Sequence, residues 1–231
     1  MNKMARKLSI ILLESALELV PREIWGHPAV LKNAKRRGKK PGETLLDVSL
    51  HYHATRKLKD REKRGRPDIV HISLLNALES PLNKEGYLDI YVHTYPGHII
   101  FIKPETRIPR NYNRFVGLME QLLIKGKVPP DSDDPLLYVK TIALEDLIEQ
   151  IGAEGLILLD EEGKREKPTR IAKIALENKY LIGIGGFAHG KFSEKIYNLA
   201  VDSYSIYKGS LTTWVAVSRI IEGAENVLGI I

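Results

Sequence analysis

The 231-residue chain has no cysteine. Disulfide frameworks, thiol catalysis and cysteine-ligated zinc or iron–sulfur sites are therefore excluded. Its seven histidines show no HExxH or comparable ligand spacing, so no metal site is expected. No apolar run approaches the roughly 18 residues that would suggest a membrane span, and the N-terminus lacks a signal-peptide pattern; a cytoplasmic protein without membrane association is expected. Phosphate-binding glycine patterns are missing too. The segments GIGGFAHG (Gly183–Gly190) and YSIYKGSLTTW (Tyr204–Trp214) contain neither a GxGxxG that opens a helix nor a GxxxxGK[ST]. Each follows an apolar run that reads as a strand, so two tight loops at one end of a sheet are expected. Their ligand would be something other than a simple nucleotide phosphate.

Positive charge, by contrast, is abundant. The net charge is +6, and much of it is concentrated between Lys32 and Arg66. Thirteen Lys and Arg residues there face only Glu43, Asp47, Asp60 and Glu62, with His51, Tyr52 and His53 interleaved. Arg107, Arg110 and Arg114 form a second cluster. A solvated surface is the simplest account of one charge run. Two clusters with aromatic residues between basic ones favour a polyanionic partner, of which nucleic acid is the commonest. His51 and His53 read as structural or surface residues rather than ligands.

With 43% hydrophobic residues, the length suits one large domain, 1–231, carrying a basic elaboration around residues 30–105. Leu8–Leu13 (LSIILL) reads as a strand buried on both faces. Pro67 opens a helix with a stripe of His71, Leu74, Leu75 and Leu78, and Ser80-Pro81 ends it. Tyr87–Thr94 and His98–Lys103 read as a hairpin turning at Tyr95-Pro96-Gly97. A helix is expected from near Pro109 to Gly126, with an apolar face of Phe115, Leu118, Met119 and Leu122. Beyond the loop Val128–Pro135, strands at Leu136–Lys140, Leu156–Asp160, Tyr180–Ile184 and Val201–Tyr207 alternate with helices at Ala143–Ile151, Pro168–Glu177 and Leu211–Glu225. Alternation of this kind means crossover connections and an α/β fold with a mainly parallel sheet and helices on both faces.

RPDIVHISLLNALESPLN (Arg66–Asn83), TRIPRNYNRFVGLMEQLL (Thr106–Leu123), GGFAHG (Gly185–Gly190) and GSLTTW (Gly209–Trp214) occur in this order. Together they resemble the ribosome-biogenesis methyltransferases that modify N1 of a pseudouridine in small-subunit rRNA. That family belongs to the SPOUT superfamily of S-adenosylmethionine-dependent RNA methyltransferases. The similarity runs from about Leu8 to the C-terminus. It implies a C-terminal deep trefoil knot, an exception to unthreaded connections that periodicity cannot show. It also implies a homodimer with a cofactor pocket formed by the knotted loops, and leaves open a small-subunit ribosomal protein as a further partner.

The resemblance assigns S-adenosyl-L-methionine to Gly185, Gly190 and the stretch Ile206, Tyr207, Lys208, Gly209, Ser210 and Leu211. Leu158, Leu159 and Ile184 are weaker candidates for the pocket wall. It assigns rRNA to Arg66, Arg107, Arg110 and Arg114, and gives Asp68 the task of orienting Arg66. The three later arginines lie at spacings of three and four, which would put them on one side of a helix entrance; positive charge there opposes the helix dipole, so contact with RNA explains them better than helix stability. Arg66 is the candidate catalytic group, stabilising negative charge on the target ring. Asp68 is a poor base, because pairing with a guanidinium lowers its pKa. The rival function is a non-enzymatic rRNA-binding assembly factor of the small subunit.

Overall fold

The computed structural model describes residues 7–231; the first six residues of the stretch inspected for a targeting signal lie outside it. The apolar run near the N-terminus forms strand β1 (Leu8–Ser15). Leu8, Ile10 and Leu12 point to one face and Ile11 and Leu13 to the other, all 1% exposed or less. A strand buried on both faces must be central, and β1 pairs in parallel with β2 (Leu88–Thr94) on one side and β7 (Tyr180–Gly185) on the other.

The hairpin strand β3 (Ile99–Ile102) runs antiparallel to β2. The short β4 (Lys127–Val128) and β5 (Leu137–Lys140) continue the sheet in that sense. On the far side β6 (Gly155–Arg165) and β8 (Ala200–Ser205) complete the order β4-β5-β3-β2-β1-β7-β6-β8. The five strands from β2 to β8 in that order are mutually parallel. Leu136–Lys140, expected to join the parallel alternation, instead lies antiparallel on β3.

Helices cover both faces. α3 (Pro67–Glu79), which the one-turn α4 (Pro81–Lys84) follows directly, α5 (Tyr112–Lys125), α7 (Pro168–Asn178) and α9 (Thr213–Leu228) pack Val70, Leu74, Phe115, Met119, Ile171 and Ile220 against Ile10, Ile90 and Ile182. On the opposite face α6 (Leu144–Gln150) and α8 (Glu194–Leu199) bring Leu147 and Ile196 against Ile11, Leu156 and Leu181. α8 has no counterpart among the sequence expectations; of its six residues only Ile196 is buried, too little for a periodic signal.

The basic stretch is folded rather than a loop. α1 (Pro28–Arg36) and α2 (Val48–Thr55) pack together around Val30, Leu46 and Ala54, with Leu58 closing the cluster. His51 is fully buried and within 3.1 Å of the Asn33 amide, so it is structural. This layer is fastened to α5 at Glu120, a fully buried carboxylate that receives Arg37, Lys39 and the Leu45 N–H. It is fastened to the chain just after β1 through Glu18, which takes two hydrogen bonds of 2.7 Å from Arg64.

Candidate functional site

The site grows from an irregularity in β6. In the pairing with β8, Leu159 and Lys164 both stand opposite Tyr204. Residues 160–163 therefore leave the ladder as an excursion of four, which carries Asp160, Glu161 and Glu162 above the sheet. Gly163 brings the strand back: a Cβ there would stand 2.6 Å from the backbone nitrogen of Tyr204, so no larger residue fits without moving β8.

Each acid of the excursion holds a side chain of a neighbouring segment. Asp160 accepts from the Tyr197 hydroxyl at 2.6 Å, Glu161 from Ser210 Oγ at 2.5 Å and Glu162 from Lys191 Nζ at 2.6 Å. Burial first, then the bond to Asp160, pushes the Tyr197 hydroxyl well above the usual tyrosine range. The bond to Glu162 raises Lys191 likewise. Both glycine-bearing loops thus hang from one short stretch of β6.

Between the loops lies a cavity of about 410 Å³, within the usual range for small-molecule sites. It opens at the carboxyl ends of β6 and β7, where ligands bind in open parallel sheets. The first loop contributes Gly185, Phe187, His189, Gly190 and Phe192, and the second Ile206, Tyr207, Gly209, Ser210 and Leu211; Leu159, Ile184, Thr213 and Ala216 complete the wall with the three acids. Seven of the eight sequence-assigned cofactor residues line it. Lys208 does not: it sits exposed at the outer turn of the second loop. Leu158 is buried behind the wall.

The glycines of the first loop act mainly through size. A Cβ on Gly183 would meet Leu13 at 2.5 Å, and one on Gly186 would meet Ser15 Oγ at 2.2 Å, so the turn can press onto β1. Of this loop only Gly190 has a positive φ, 109°. Thr213 Oγ1 donates to Gly185 O at 2.7 Å and ties the start of α9 to the end of β7. Asp160–Glu162, Phe187 and Thr213 were not singled out from the sequence; an acid triplet directly after a buried strand was the available signal.

Arg66 and Asp68 are joined as a fork on a fork, Nε to Oδ1 at 2.8 Å and Nη2 to Oδ2 at 2.7 Å. The hydrogen bond to Asp68 is the main cause that raises Arg66 above the ordinary guanidinium value. Helix α5 starts at Tyr112, two residues after Arg110, because the Asn111 side chain accepts from the Arg114 N–H as N-cap. Only Arg114 therefore lies in the first turn; Arg107 and Arg110 precede it in irregular chain that bends at Arg110, correcting the expectation of a shared helix face. That chain is held by His71, whose Nε2 donates to Pro109 O at 2.7 Å. All three arginines are exposed, and the nearest carboxylate to Arg110 is Glu79 at 3.8 Å. None of Arg66, Asp68, Arg107, Arg110 and Arg114 lines the cavity.

Glu14 bridges the two regions. Its backbone adopts φ 47°, its carboxylate accepts from Lys63 Nζ at 2.8 Å and from the Ser193 N–H at 3.3 Å, and its own N–H donates to His93 Nδ1. Lys63 Nζ also lies 4.9 Å from the centroid of the Phe187 ring. The segment that ends at Arg66 thus abuts the first loop.

A cavity between paired loops at the carboxyl end of a helix-covered parallel sheet defines a methyltransferase class when set beside a solved relative. The crystal structure of Archaeoglobus fulgidus Nep1 bound to S-adenosylhomocysteine matches with a TM-score of 0.86 and 40% identity, covering 96% of this chain and 99% of that one. The chain belongs to the EMG1/NEP1 methyltransferase family, whose model matches residues 10–225. It is 73% identical over 228 residues, 99% of each chain, to the ribosomal RNA small subunit methyltransferase Nep1 of Staphylothermus marinus. To the protein of that name from Saccharolobus solfataricus it is 50% identical, covering 96% of this chain and 98% of the relative. The resemblance drawn from the four motifs therefore holds. Among the described residues no helix is long and apolar enough to cross a membrane.

Proposed function

We propose that this protein transfers a methyl group from S-adenosylmethionine to N1 of a pseudouridine in small-subunit rRNA. The observation that carries this reading is the cavity walled by both glycine loops. Its residues fit the cofactor. Leu159, Ile184, Ile206, Leu211 and Ala216 offer an apolar slot for an adenine ring, and the Asp160–Glu162 carboxylates suit a ligand bearing two cationic centres. Backbone groups at Gly185, Gly190 and 206–211 would hold its polar edges. When bound, the cofactor supplies a methyl group activated by attachment to a cationic sulfur.

The remaining tasks fall to this chain. N1 of the neutral base carries a hydrogen, so charge builds on the ring as that proton leaves. The Arg66 guanidinium, fixed in one plane by Asp68, is suited to stabilise it. Asp68 is fully engaged with Arg66, which argues against it as the base. Arg107, Arg110 and Arg114, all exposed and held among the described residues by no carboxylate closer than the 3.8 Å between Arg110 and Glu79, suit the phosphates flanking the target. Lys63 and the first loop adjoin, so a base held by Arg66 would stand near the cavity mouth.

The same reading includes a single domain, a homodimer, a knotted C-terminus and action in the cytoplasm, where the rRNA is assembled. Support for the dimer comes from two large exposed side chains, Val201 on the edge strand β8 and Tyr207 in the second loop, 56% and 44% exposed. Support for the knot comes from the return of the chain from edge strand β8 to Gly185 at the start of α9. The test is incubation with labelled S-adenosylmethionine and an rRNA hairpin bearing uridine or pseudouridine at the target. Transfer to the pseudouridine hairpin alone is expected. Tight hairpin binding with no transfer to either would replace the enzyme with an assembly factor.

A further inference from the structure

A second cavity lies far along the chain from the first, between the basic layer and the start of α5. It measures about 360 Å³ and is walled by Arg36, Arg37, Leu50, Tyr112, Asn113 and Val116, above Leu45 and Asp47. Ties at both ends hold its walls apart. Glu120 on α5 grips Arg37 and Lys39 at one end, and the Tyr112 hydroxyl donates to Asp47 Oδ2 at 2.6 Å at the other. Asp47 is in turn fixed by Ser49, through both its N–H and its hydroxyl. The space is thus part of the fold rather than a gap between loose elements.

The chemistry of the walls is mixed in a specific way. Leu50 is 41% exposed and lies at the mouth, while Tyr112 and Val116 are half-buried, giving an apolar and aromatic slot. Arg37 is engaged with Glu120, but Arg36 has no carboxylate partner among the described residues and gives one hydrogen bond, to Asn33 Oδ1. The Asn113 amide, exposed, makes no hydrogen bond among the described residues, leaving a donor and an acceptor side by side. Arg114 is the next residue, and Arg66 lies within electrostatic reach of Asp47 and Tyr112. A flat ring, a neighbouring anion and an edge with one donor and one acceptor are the three features of a nucleotide.

We propose that this cleft binds one unstacked nucleotide of the rRNA strand beside the target, with its base between Tyr112, Leu50 and Val116, its edge on Asn113 and its phosphate on Arg36. The inference rests on the rRNA reading above and adds a second point of contact, which fixes the strand's register with respect to Arg66. A single-stranded RNA held at two bases cannot slide, so the cleft selects which nucleotide enters the first site.

The experiment measures hairpin affinity by fluorescence anisotropy for the wild type and for Arg36→Ala/Asn113→Ala. The hairpins form a series, each with one abasic nucleotide flanking the target. The paired substitution is expected to weaken intact-hairpin binding roughly tenfold, with cofactor affinity unchanged. One abasic position should cost the wild type a similar factor and cost the double variant almost nothing. Val116→Phe, which fills the slot, should reproduce the loss if it folds; the surface pair keeps the test decisive if it does not. Unchanged affinity in Arg36→Ala/Asn113→Ala, or abasic penalties equal in both proteins, overturns the cleft alone, provided the wild type binds and methylates. A wild type that binds no rRNA hairpin sinks the rRNA reading with it. Loss of binding to an acidic peptide without loss of RNA binding would assign the cleft to a protein and overturn the proposal.

Discussion

Replacing Glu120 with glutamine should loosen the basic layer while leaving the cavity between the two glycine loops intact. Glu120 is fully buried on α5, and four donor groups converge on it: two from Arg37, one from Lys39 and the Leu45 N–H. An amide in its place removes the charge and points its own N–H groups at other donors. Removing one partner of a buried ion pair costs about 3–5 kcal/mol. Here the cations are 24% and 32% exposed and can turn partly to water, which lowers the expected cost to about 2–3 kcal/mol. For a chain of this size that corresponds to a Tm lower by roughly 5–10 °C in calorimetry. Location matters more than size. Because these bonds join residues 37–45 to α5, amide exchange should accelerate in α1 and α2 while α7 and α9 keep their protection. Hairpin affinity should fall several-fold with cofactor affinity unchanged. Arg37→Ala in the Glu120→Gln background should cost less than in the wild type, since the pair is already broken. A Tm within about 1 °C of wild type, or exchange that accelerates uniformly, would refute this account of how the layer is attached.

Three further outcomes are expected. Asp68→Asn leaves one of the two acceptors facing Arg66 and should weaken hairpin binding a few-fold, about 1 kcal/mol for a partly exposed pair, without altering cofactor affinity in titration calorimetry; unchanged RNA affinity would remove Asp68 from its orienting role. Gly163→Ala places a Cβ against the Tyr204 backbone and should displace the acid excursion, so cofactor affinity should drop at least tenfold while hairpin binding persists; equal affinity would show that the excursion can move freely. Burial is the main cause that holds His51 and His93 below the usual histidine pKa. A group depressed in the folded state takes up protons more readily when unfolded, so its stability contribution is complete above about pH 6.5 and is lost as pH falls through the folded value. Tm should therefore fall between neutral pH and pH 5, with a shallower fall in His51→Gln; a flat profile in the wild type would contradict it.

The sheet was legible because its signal is strong and local. LSIILL and LILLD can only be buried strands, and Pro67 and Pro168 mark helix starts that the structure keeps. The two loops were legible from glycine content, but the reason for the glycines was not. Gly183 and Gly186 answer to Leu13 and Ser15, more than 160 residues earlier, and long-range packing leaves no local trace. The basic layer hid its helices for a related reason. α1 buries only Val30, Asn33 and Ala34, and its stability comes from partners such as His51 and Glu120 rather than from a continuous stripe. The strand reads as ending at Asp160 because nothing in Asp160–Glu162 themselves reveals that β6 resumes at Lys164. The onset of α5 was placed too early because Pro109 is a common first-turn residue, whereas the side chain of Asn111 sets the actual start.

Glu14 gives the molecule a thermodynamic property beyond its role as a structural tie. A glutamate with φ 47° is held in a backbone conformation that costs a side-chain-bearing residue about 1 kcal/mol, and its carboxylate is shared between Lys63 and the N-terminus of α8. The two glycine loops lie on one side of that carboxylate and the basic layer on the other. If ordering of the first loop by a bound donor sharpens the position of Lys63, the donor and the RNA become cooperative ligands. Reciprocity then requires each to raise the other's affinity by the same factor. Spent donor and methylated RNA obey the same linkage, so the order in which the two products depart would be governed by one shared carboxylate.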